Sequence, residues 1–183
     1  MRLFVAIELD EAVRSVLRKV QSGLKACDDV RWIPAEQLHV TLKFLGDVRD
    51  DDVPGVCEAL SQGAEGSAPF GIEVAGCGCF PPRGPVRIVW AGLREESGVL
   101  KRLAANVDTA MALLGFEPEQ RPFSAHITIG RVREDRTGGR LREAVNAFDY
   151  DAASQSVKKV TLMSSVLSPK GPTYTPVQTT ELG

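Results

Sequence analysis

The stretch Leu38-His39-Val40-Thr41-Leu42-Lys43-Phe44-Leu45 is the clearest strand signal in this chain, because apolar and polar residues alternate along it. In a strand, residues i and i+2 lie on the same face. One face should be apolar and line a core: Leu38, Val40, Leu42 and Phe44. The other face should be polar and line a cleft: His39, Thr41 and Lys43.

A second stretch, His126-Ile127-Thr128-Ile129, repeats this pattern, and His39 and His126 are the only two histidines of the chain. Nine residues are Thr, so chance would place Thr two positions after both histidines in only about one such chain in 400. Each histidine should share a strand face with a threonine hydroxyl. If the two strands face each other, two imidazoles and two hydroxyls converge on one small volume, which suits acid–base chemistry near pH 7.

Composition limits the classes of protein that this chain can represent. Its 183 residues, 43% hydrophobic and 25% charged, are enough for one domain over 1–183 with a sizeable core. The net charge of −2 argues against tight nonspecific binding along a nucleic-acid backbone. No apolar run approaches the roughly 18 residues of a membrane span, and the apolar N-terminus is too short for a signal peptide. We therefore expect a cytoplasmic protein without membrane association.

Periodicity and turn residues predict the element order βαββαββαβαββ. The predicted strands cover residues 2–9, 30–33, 38–45, 70–75, 86–90, 124–132, 157–167 and 173–177. Four helices are predicted. The first begins after Asp10 as its N-cap, the second covers about 52–60, the third covers 97–115, and a short fourth helix ends near 147. Strands mixed with helices and hairpin-like pairs favour an antiparallel α+β architecture. The histidine segments lie 87 residues apart, which suggests a duplicated lobe with pseudo-twofold symmetry.

These residues suit cleavage of a phosphate ester without a metal ion. One histidine can act as base and the other as acid, while the Thr41 and Thr128 hydroxyls donate to phosphate oxygens. Lys43 has the same strand parity as His39 and is a candidate phosphate contact. Arg131 has the opposite parity to His126 and reaches the same site only if the strand bends or bulges at Gly130.

No metal site is expected from the four cysteines. They lie at 27, 57, 77 and 79, and the pair at 77 and 79 has a single intervening residue and no histidine nearby. Reduced, mostly buried thiols are the favoured interpretation.

At the two histidine motifs the sequence resembles the 2H phosphoesterase superfamily, whose signature is a pair of His-x-Thr-x motifs. It is especially similar to the RNA 2′,3′-cyclic phosphodiesterases, formerly named 2′-5′ RNA ligases. Four segments carry this resemblance: Arg2 to Ile7, Arg31 to Gly46, Phe80-Pro81-Pro82-Arg83-Gly84-Pro85, and Ser165 to Tyr174.

The resemblance implies a bilobal α+β fold, with two antiparallel sheets flanking a central cleft and helices on the outside. It implies metal-independent hydrolysis of the 2′,3′-cyclic phosphate at RNA 3′ ends to a 2′-phosphomonoester. We expect no cofactor, and we expect the protein to be a monomer. On that model His39 protonates the departing 3′ oxygen and His126 activates water. Relatives also carry an arginine that matches Arg131, which supports it as a phosphate contact.

Three alternatives stay open at this point. The same acid and base could join a cyclic phosphate to a 5′-hydroxyl in the reverse, ligating direction. The site could hold an AMP-like nucleotide without turnover, although binding alone does not need two poised imidazoles. A small cyclic nucleotide could also be the substrate.

Overall fold

The computed structural model describes residues 1–25, 30–169 and 171–183. Within these residues nine strands are assigned: β1 (Arg2–Glu8), β2 (Val30–Trp32), β3 (His39–Asp47), β4 (Phe70–Phe80), β5 (Ile88–Arg94), β6 (His126–Val132), β7 (Ala153–Val157), β8 (Lys159–Ser168) and β9 (Gly171–Glu181). The same part of the chain holds four α-helices: α1 (Glu11–Gly23), α2 (Val53–Ala64), α3 (Val99–Leu113) and α4 (Arg140–Ala147).

The strands form two antiparallel halves that meet at the centre of the molecule. The His39 half has the order β3-β1-β8-β9, and the His126 half has the order β7-β4-β5-β6, with β2 paired to β6. Strands β3 and β6 join the halves, through the pair Val40 and Ile127. Both histidines lie one residue before this pair. The expected bilobal α+β fold with pseudo-twofold symmetry and two antiparallel sheets is therefore confirmed, with the two sheets joined at this pair.

The helices cover the outer faces of the two halves in a crossed arrangement. Helix α3, which precedes β6 in the chain, packs against β3, and α2 packs beside it against β8 and β9. Helix α1, which precedes β3 in the chain, packs against β7, and α4 packs against β4. Each half of the sheet is thus covered in part by a helix that lies, along the chain, between two strands of the other half. The two lobes are therefore interlocked.

Both faces of strand β1 are buried. Leu3, Val5 and Ile7 belong to the main core beneath the helices. Phe4 and Ala6 point to the opposite face, where they pack with Met163 and Tyr174. At the end of the strand Asp10 caps α1, accepting a hydrogen bond of 2.9 Å from the Val13 backbone N–H, as predicted.

Each histidine strand contains a β-bulge at the same position relative to its histidine. In β3, Thr41 pairs with Ala6 and Lys43 with Val5, so Leu42 is the extra residue. In β6, Thr128 pairs with Trp90 and Gly130 with Val89, so Ile129 is the extra residue. A bulge reverses the alternation of side chains that follow it. These two bulges decide which side chains reach the cleft.

Several predicted boundaries differ from the structure. Strand β7 was not predicted, since its centre is the polar run Ser154-Gln155-Ser156 at the edge of the sheet. Strand β4 continues to Phe80 rather than ending near Ala75, because an irregularity after Val74, with Gly76 at a positive φ, lets the strand bend and go on. Helix α3 begins at Val99 rather than Ser97, after Gly98.

Cys57, Cys77 and Cys79 form no disulfide in the described part of the chain, whereas Cys27 lies outside the described residues. Burial raises the pKa of Cys77 to about 12, so this thiol stays protonated at neutral pH.

Among the described residues, no helix is both long and apolar enough to cross a membrane.

Candidate functional site

The two histidines lie diagonally across the central strand pair. Val40 pairs with Ile127 in an antiparallel register. The residue before Val40, His39, therefore lies opposite Thr128, and the residue after it, Thr41, lies opposite His126. All four side chains are partly buried, in contrast to the buried Val40 and Ile127 between them. The structure therefore groups both imidazoles and both hydroxyls on one face.

Each imidazole is oriented by a carbonyl oxygen two residues earlier in the chain. His39 Nδ1 lies 2.7 Å from the Gln37 carbonyl oxygen, and His126 Nδ1 lies 2.7 Å from the Ser124 carbonyl oxygen. A carbonyl only accepts hydrogen bonds, so both Nδ1 atoms carry the proton. The Nε2 atom of each ring is then a proton acceptor when the ring is neutral and a donor when it is charged. The geometry supplies two equivalent groups for proton transfer.

Aromatic side chains hold the two imidazole rings from the sides. Tyr174 stands perpendicular to His39, with ring centroids 5.3 Å apart, and Phe80 stands perpendicular to His126, with centroids 5.2 Å apart. Phe4 also contacts His39, at 4.9 Å. Phe80 is supported in turn by Trp90, at 5.5 Å. These contacts restrict the rings and exclude water from one side of each.

Arg131 lies on the cleft side because of the bulge in β6. Ile129 and Gly130 are both buried in succession, after which Arg131 is exposed on the same face as Thr128. Its positive charge contributes to lowering the pKa of His39 in the opposite half. A side chain at Gly130 would be impossible without rearrangement, since a Cβ there would lie 2.5 Å from Val30 Cγ1.

The prediction that Lys43 lines the cleft is wrong, and the equivalent bulge in β3 is the reason. Leu42 and Lys43 are both buried, so Lys43 points away from His39 toward α3. Its Nζ atom lies 2.5 Å from Asp108 Oδ1 and donates to the Glu117 carbonyl oxygen at 2.8 Å. The same bulge that brings Arg131 to the cleft in β6 thus takes Lys43 out of it in β3.

Phe44 is a cleft residue that the sequence pattern assigned to the core. It follows the β3 bulge as Arg131 follows the β6 bulge, and it is 63% exposed. Its ring lies 6.1 Å from that of Phe4, on the His39 side. An exposed aromatic face beside two histidines offers a stacking surface for a planar ligand. Neither Tyr174 nor Phe80 was predicted as a site residue, since nothing local indicates that they meet the histidines.

Burial sets the electrostatics of the His39 side of the cleft. Desolvation lowers the pKa of His39 below its ordinary value, the hydrogen bond to the Gln37 carbonyl opposes this, and the Arg131 charge adds to the lowering. Near neutral pH, His39 is therefore mainly uncharged in the ligand-free protein. Burial raises the pKa of Tyr174, which keeps its hydroxyl protonated.

Other features of the described residues lie away from this face. Within 1–25, 30–169 and 171–183, no group of three or more His, Cys, Asp or Glu side chains is placed to hold a metal ion. A cavity of about 480 Å³ lies between the start of α1 and the β7–β8 connection, and one of about 820 Å³ lies beside β4 and β5. Neither is lined by His39 or His126.

Comparison with known proteins matches almost the whole chain to one family model, described as LigT like Phosphoesterase. The match covers two successive segments, residues 7–90 and 92–174, and each contains one of the two histidines. The RNA 2′,3′-cyclic phosphodiesterase of Methanothermobacter thermautotrophicus is 34% identical over 180 residues, which is 97% of each chain.

Solved structures show the same fold. A crystal structure from Thermus thermophilus has a TM-score of 0.81 and 29% identity, and covers 100% of this chain and 98% of that one. The crystal structure of E. coli LigT complexed with 3′-AMP has a TM-score of 0.78 and 26% identity, and covers 99% of this chain and 97% of that one.

Proposed function

Because this chain belongs to the LigT like phosphoesterase family, we propose that it hydrolyses the 2′,3′-cyclic phosphate at RNA 3′ ends to a 2′-phosphomonoester, without a metal ion. The relatives named RNA 2′,3′-cyclic phosphodiesterases support the substrate class. The observation that carries the mechanism is the orientation of His39 and His126. Both rings lie on one face, with Nδ1 bonded to a carbonyl and Nε2 left for proton transfer.

The reaction needs one proton removed and one supplied. Water attacks phosphorus while one Nε2 accepts its proton, the bond from phosphorus to the ribose 3′ oxygen breaks, and the other, protonated Nε2 gives a proton to that oxygen. The 2′ oxygen keeps the phosphate. Afterwards the protonation states of the two rings have exchanged, and exchange with solvent restores them.

In this proposal three side chains stabilise the negative charge that grows on the nonbridging oxygens. The hydroxyls of Thr41 and Thr128 lie on the histidine face and can donate hydrogen bonds to these oxygens. Arg131 can offer its planar guanidinium as a charged donor. Phe44 provides a stacking surface for the terminal base. Lys43 has no part in substrate binding in this proposal, since its ammonium is held by Asp108.

The acid and base roles of His39 and His126 can be distinguished with a substrate whose leaving group needs little protonation. The neutral form of His39 that burial favours is ready to act as a base, whereas an acid role requires proton uptake when the phosphate anion binds. A phosphodiester with a nitrophenolate leaving group needs little protonation of that group. The variant that lacks the acid should therefore keep more of its activity on the nitrophenyl substrate than the variant that lacks the base.

The decisive experiment uses a short RNA with a 2′,3′-cyclic phosphate, incubated with the protein in EDTA. We expect a 2′-phosphate product from the wild type and loss of most turnover, about 10²- to 10⁴-fold, in His39→Ala and His126→Ala with the fold retained. A 3′-phosphate product, or wild-type rates in both variants, would contradict the proposed mechanism. Binding without any product would instead identify a noncatalytic nucleotide-binding protein.

Ligation is a second proposal for the same site. A 5′-hydroxyl can take the place of water as the nucleophile: one imidazole accepts its proton, the bond from phosphorus to the 3′ oxygen breaks with a proton from the other imidazole, and the phosphate is left in a 2′-5′ bond. Adding excess 5′-hydroxyl RNA to the assay tests for this ligation product. Water is the more abundant nucleophile, so hydrolysis should dominate.

A further inference from the structure

Tyr174 carries a phenol hydroxyl beside His39 that the mechanism described above does not use. Its ring packs edge-on against the rings of both His39 and Phe4, with centroids 5.3 and 5.0 Å apart. It also packs against the small apolar cluster of Phe4, Ala6 and Met163 on the cleft side of β1. The ring is fixed by this packing, so the direction of its hydroxyl is set before any ligand binds.

The Tyr174 hydroxyl has no hydrogen-bond partner within residues 1–25, 30–169 and 171–183. A buried tyrosine hydroxyl ordinarily finds a partner, and the other tyrosine of the chain, Tyr150, donates to the Gly76 carbonyl oxygen at 3.0 Å. Tyr174 is only half-buried, and its hydroxyl oxygen is not enclosed by protein. The hydroxyl is therefore a fixed donor that a ligand oxygen can reach.

Two cations lie within electrostatic reach of this hydroxyl. Burial raises the pKa of Tyr174, whereas the charges of Arg131, in the opposite half, and of Arg2, at the start of β1, lower it. Arg131 acts on His39 as well. The phenol and the imidazole therefore share a positive potential that attracts an anion. Because the effect of burial is larger than that of the two charges, the hydroxyl keeps its proton at neutral pH and can donate it.

Gln37 ties the strand that carries Tyr174 to the backbone that orients His39. Its side-chain amide donates to the Pro172 carbonyl oxygen in β9, at 2.9 Å. Its own carbonyl oxygen accepts the hydrogen bond from His39 Nδ1, at 2.7 Å. A single residue therefore holds the phenol and the imidazole in a fixed relation, although they belong to strands far apart in the chain.

We infer that the Tyr174 hydroxyl donates a hydrogen bond to a nonbridging oxygen of the substrate phosphate, as a third uncharged donor beside the hydroxyls of Thr41 and Thr128. A phosphate bound at the histidine face supplies the acceptor that this hydroxyl lacks. A donor whose direction is already fixed stabilises the charge that grows in the transition state without having to reorganise. This inference rests on the proposed function of the histidine face.

The test removes the hydroxyl and keeps the ring. With an RNA that ends in a 2′,3′-cyclic phosphate, Tyr174→Phe should lower kcat about 10- to 100-fold and change KM less than about 3-fold, because the hydrogen bond is strongest in the transition state. Its Tm should stay within about 2 °C of wild type, since no hydrogen bond to the described residues is lost. Tyr150→Phe is the matched control and should leave kcat within about 2-fold of wild type. A Tyr174→Phe variant as active as this control would overturn the inference.

A change in the substrate tests the contact itself. Each nonbridging oxygen of the cyclic phosphate is replaced in turn by sulfur, which is the weaker hydrogen-bond acceptor. For the oxygen that Tyr174 contacts, the loss of rate on this replacement should be about 3- to 10-fold smaller in Tyr174→Phe than in the wild type, because the variant has already lost that hydrogen bond. Losses of equal size in the two proteins, at both oxygens, would refute a direct contact.

Equilibrium binding separates this inference from the proposed hydrolysis. The ligands are 2′-AMP, which carries the phosphate, and adenosine, which does not. Tyr174→Phe should weaken 2′-AMP about 10-fold or more and leave adenosine within about 2-fold of wild type. If this pattern held in a protein without turnover, the hydrolysis alone would be refuted. If 2′-AMP bound to both proteins equally, or to neither, the inference would be refuted.

Discussion

Replacing Lys43 by methionine should destabilise the fold strongly, even though Lys43 does not reach the cleft. The Lys43 side chain is 1% exposed and the Asp108 side chain 22% exposed. The ammonium holds Asp108 on α3 and the Glu117 carbonyl oxygen in the segment that leads toward His126. Asp108 also accepts hydrogen bonds from the Glu119 backbone N–H, at 3.2 and 3.3 Å. Methionine keeps the apolar stem but removes the charge and the donors.

The expected loss follows from the burial of the two partners. Removing one member of a buried ion pair costs about 3–5 kcal/mol. Asp108 keeps some contact with water, so we expect the lower end, about 3 kcal/mol, which includes the loss of the donor to Glu117. With an m-value of about 2 kcal/mol/M, the urea midpoint should fall by roughly 1.5 M. The double variant Lys43→Met/Asp108→Asn should recover about 1–2 kcal/mol, because no unpaired carboxylate is left.

Urea unfolding followed by circular dichroism measures these free energies. Arg94→Met is the control, because it breaks an exposed pair with Glu73, whose two side chains are 73% and 41% exposed. That change should cost less than about 1 kcal/mol. High salt should weaken the exposed pair and leave the buried one nearly unaffected. If Lys43→Met lost no more stability than Arg94→Met, the assignment of Lys43 as a buried structural cation would be refuted.

The remaining predictions concern the reacting face and its histidines. Thr41→Val and Thr128→Val should each lower kcat about 10- to 1000-fold, because each removes a hydrogen-bond donor to the transition state; equal rates in kinetic assays would exclude such donation. The pH profile of kcat/KM should be bell-shaped, and a monotonic rise of the rate with pH would contradict paired acid–base catalysis. Titration of the histidine NMR signals should show that the pKa of His39 lies below 6.5. Because its pKa is lower in the folded than in the unfolded state, His39 should also make the fold less stable as pH falls below about 6.5.

The candidate site was predictable because its signals are local in sequence. The repeated spacing of His39 to Thr41 and of His126 to Thr128 requires only that each segment be a strand. The N-cap at Asp10 is likewise a short-range preference, and the structure confirms it. The convergence of the two strands could be anticipated from their similarity, which suggests symmetry.

The cleft-facing set was harder to predict because a bulge depends on the neighbouring strand. The rule that side chains alternate between the two faces of a strand assumes an unbroken ladder of hydrogen bonds to the neighbouring strand. The sequence around Leu42 and Lys43 does not indicate that Leu42 is the extra residue opposite Val5 and Ala6. The pattern therefore placed Phe44 in the core and Lys43 in the cleft, and the structure exchanges them. For Arg131 the sequence offered a clue, since Gly130 suggested an irregularity.

The sequence by itself determined the chemistry available to this protein: two histidines, each two residues before a threonine, in segments whose apolar residues make them strands. Only the tertiary structure decided which side chains surround them. Pairing with β1 and β5 places a bulge in each histidine strand, and β2 brings Arg31 beside Arg131. The physical reason is that strand preference is a property of a few adjacent residues, whereas register and bulges are set by hydrogen bonds and packing with strands distant in sequence.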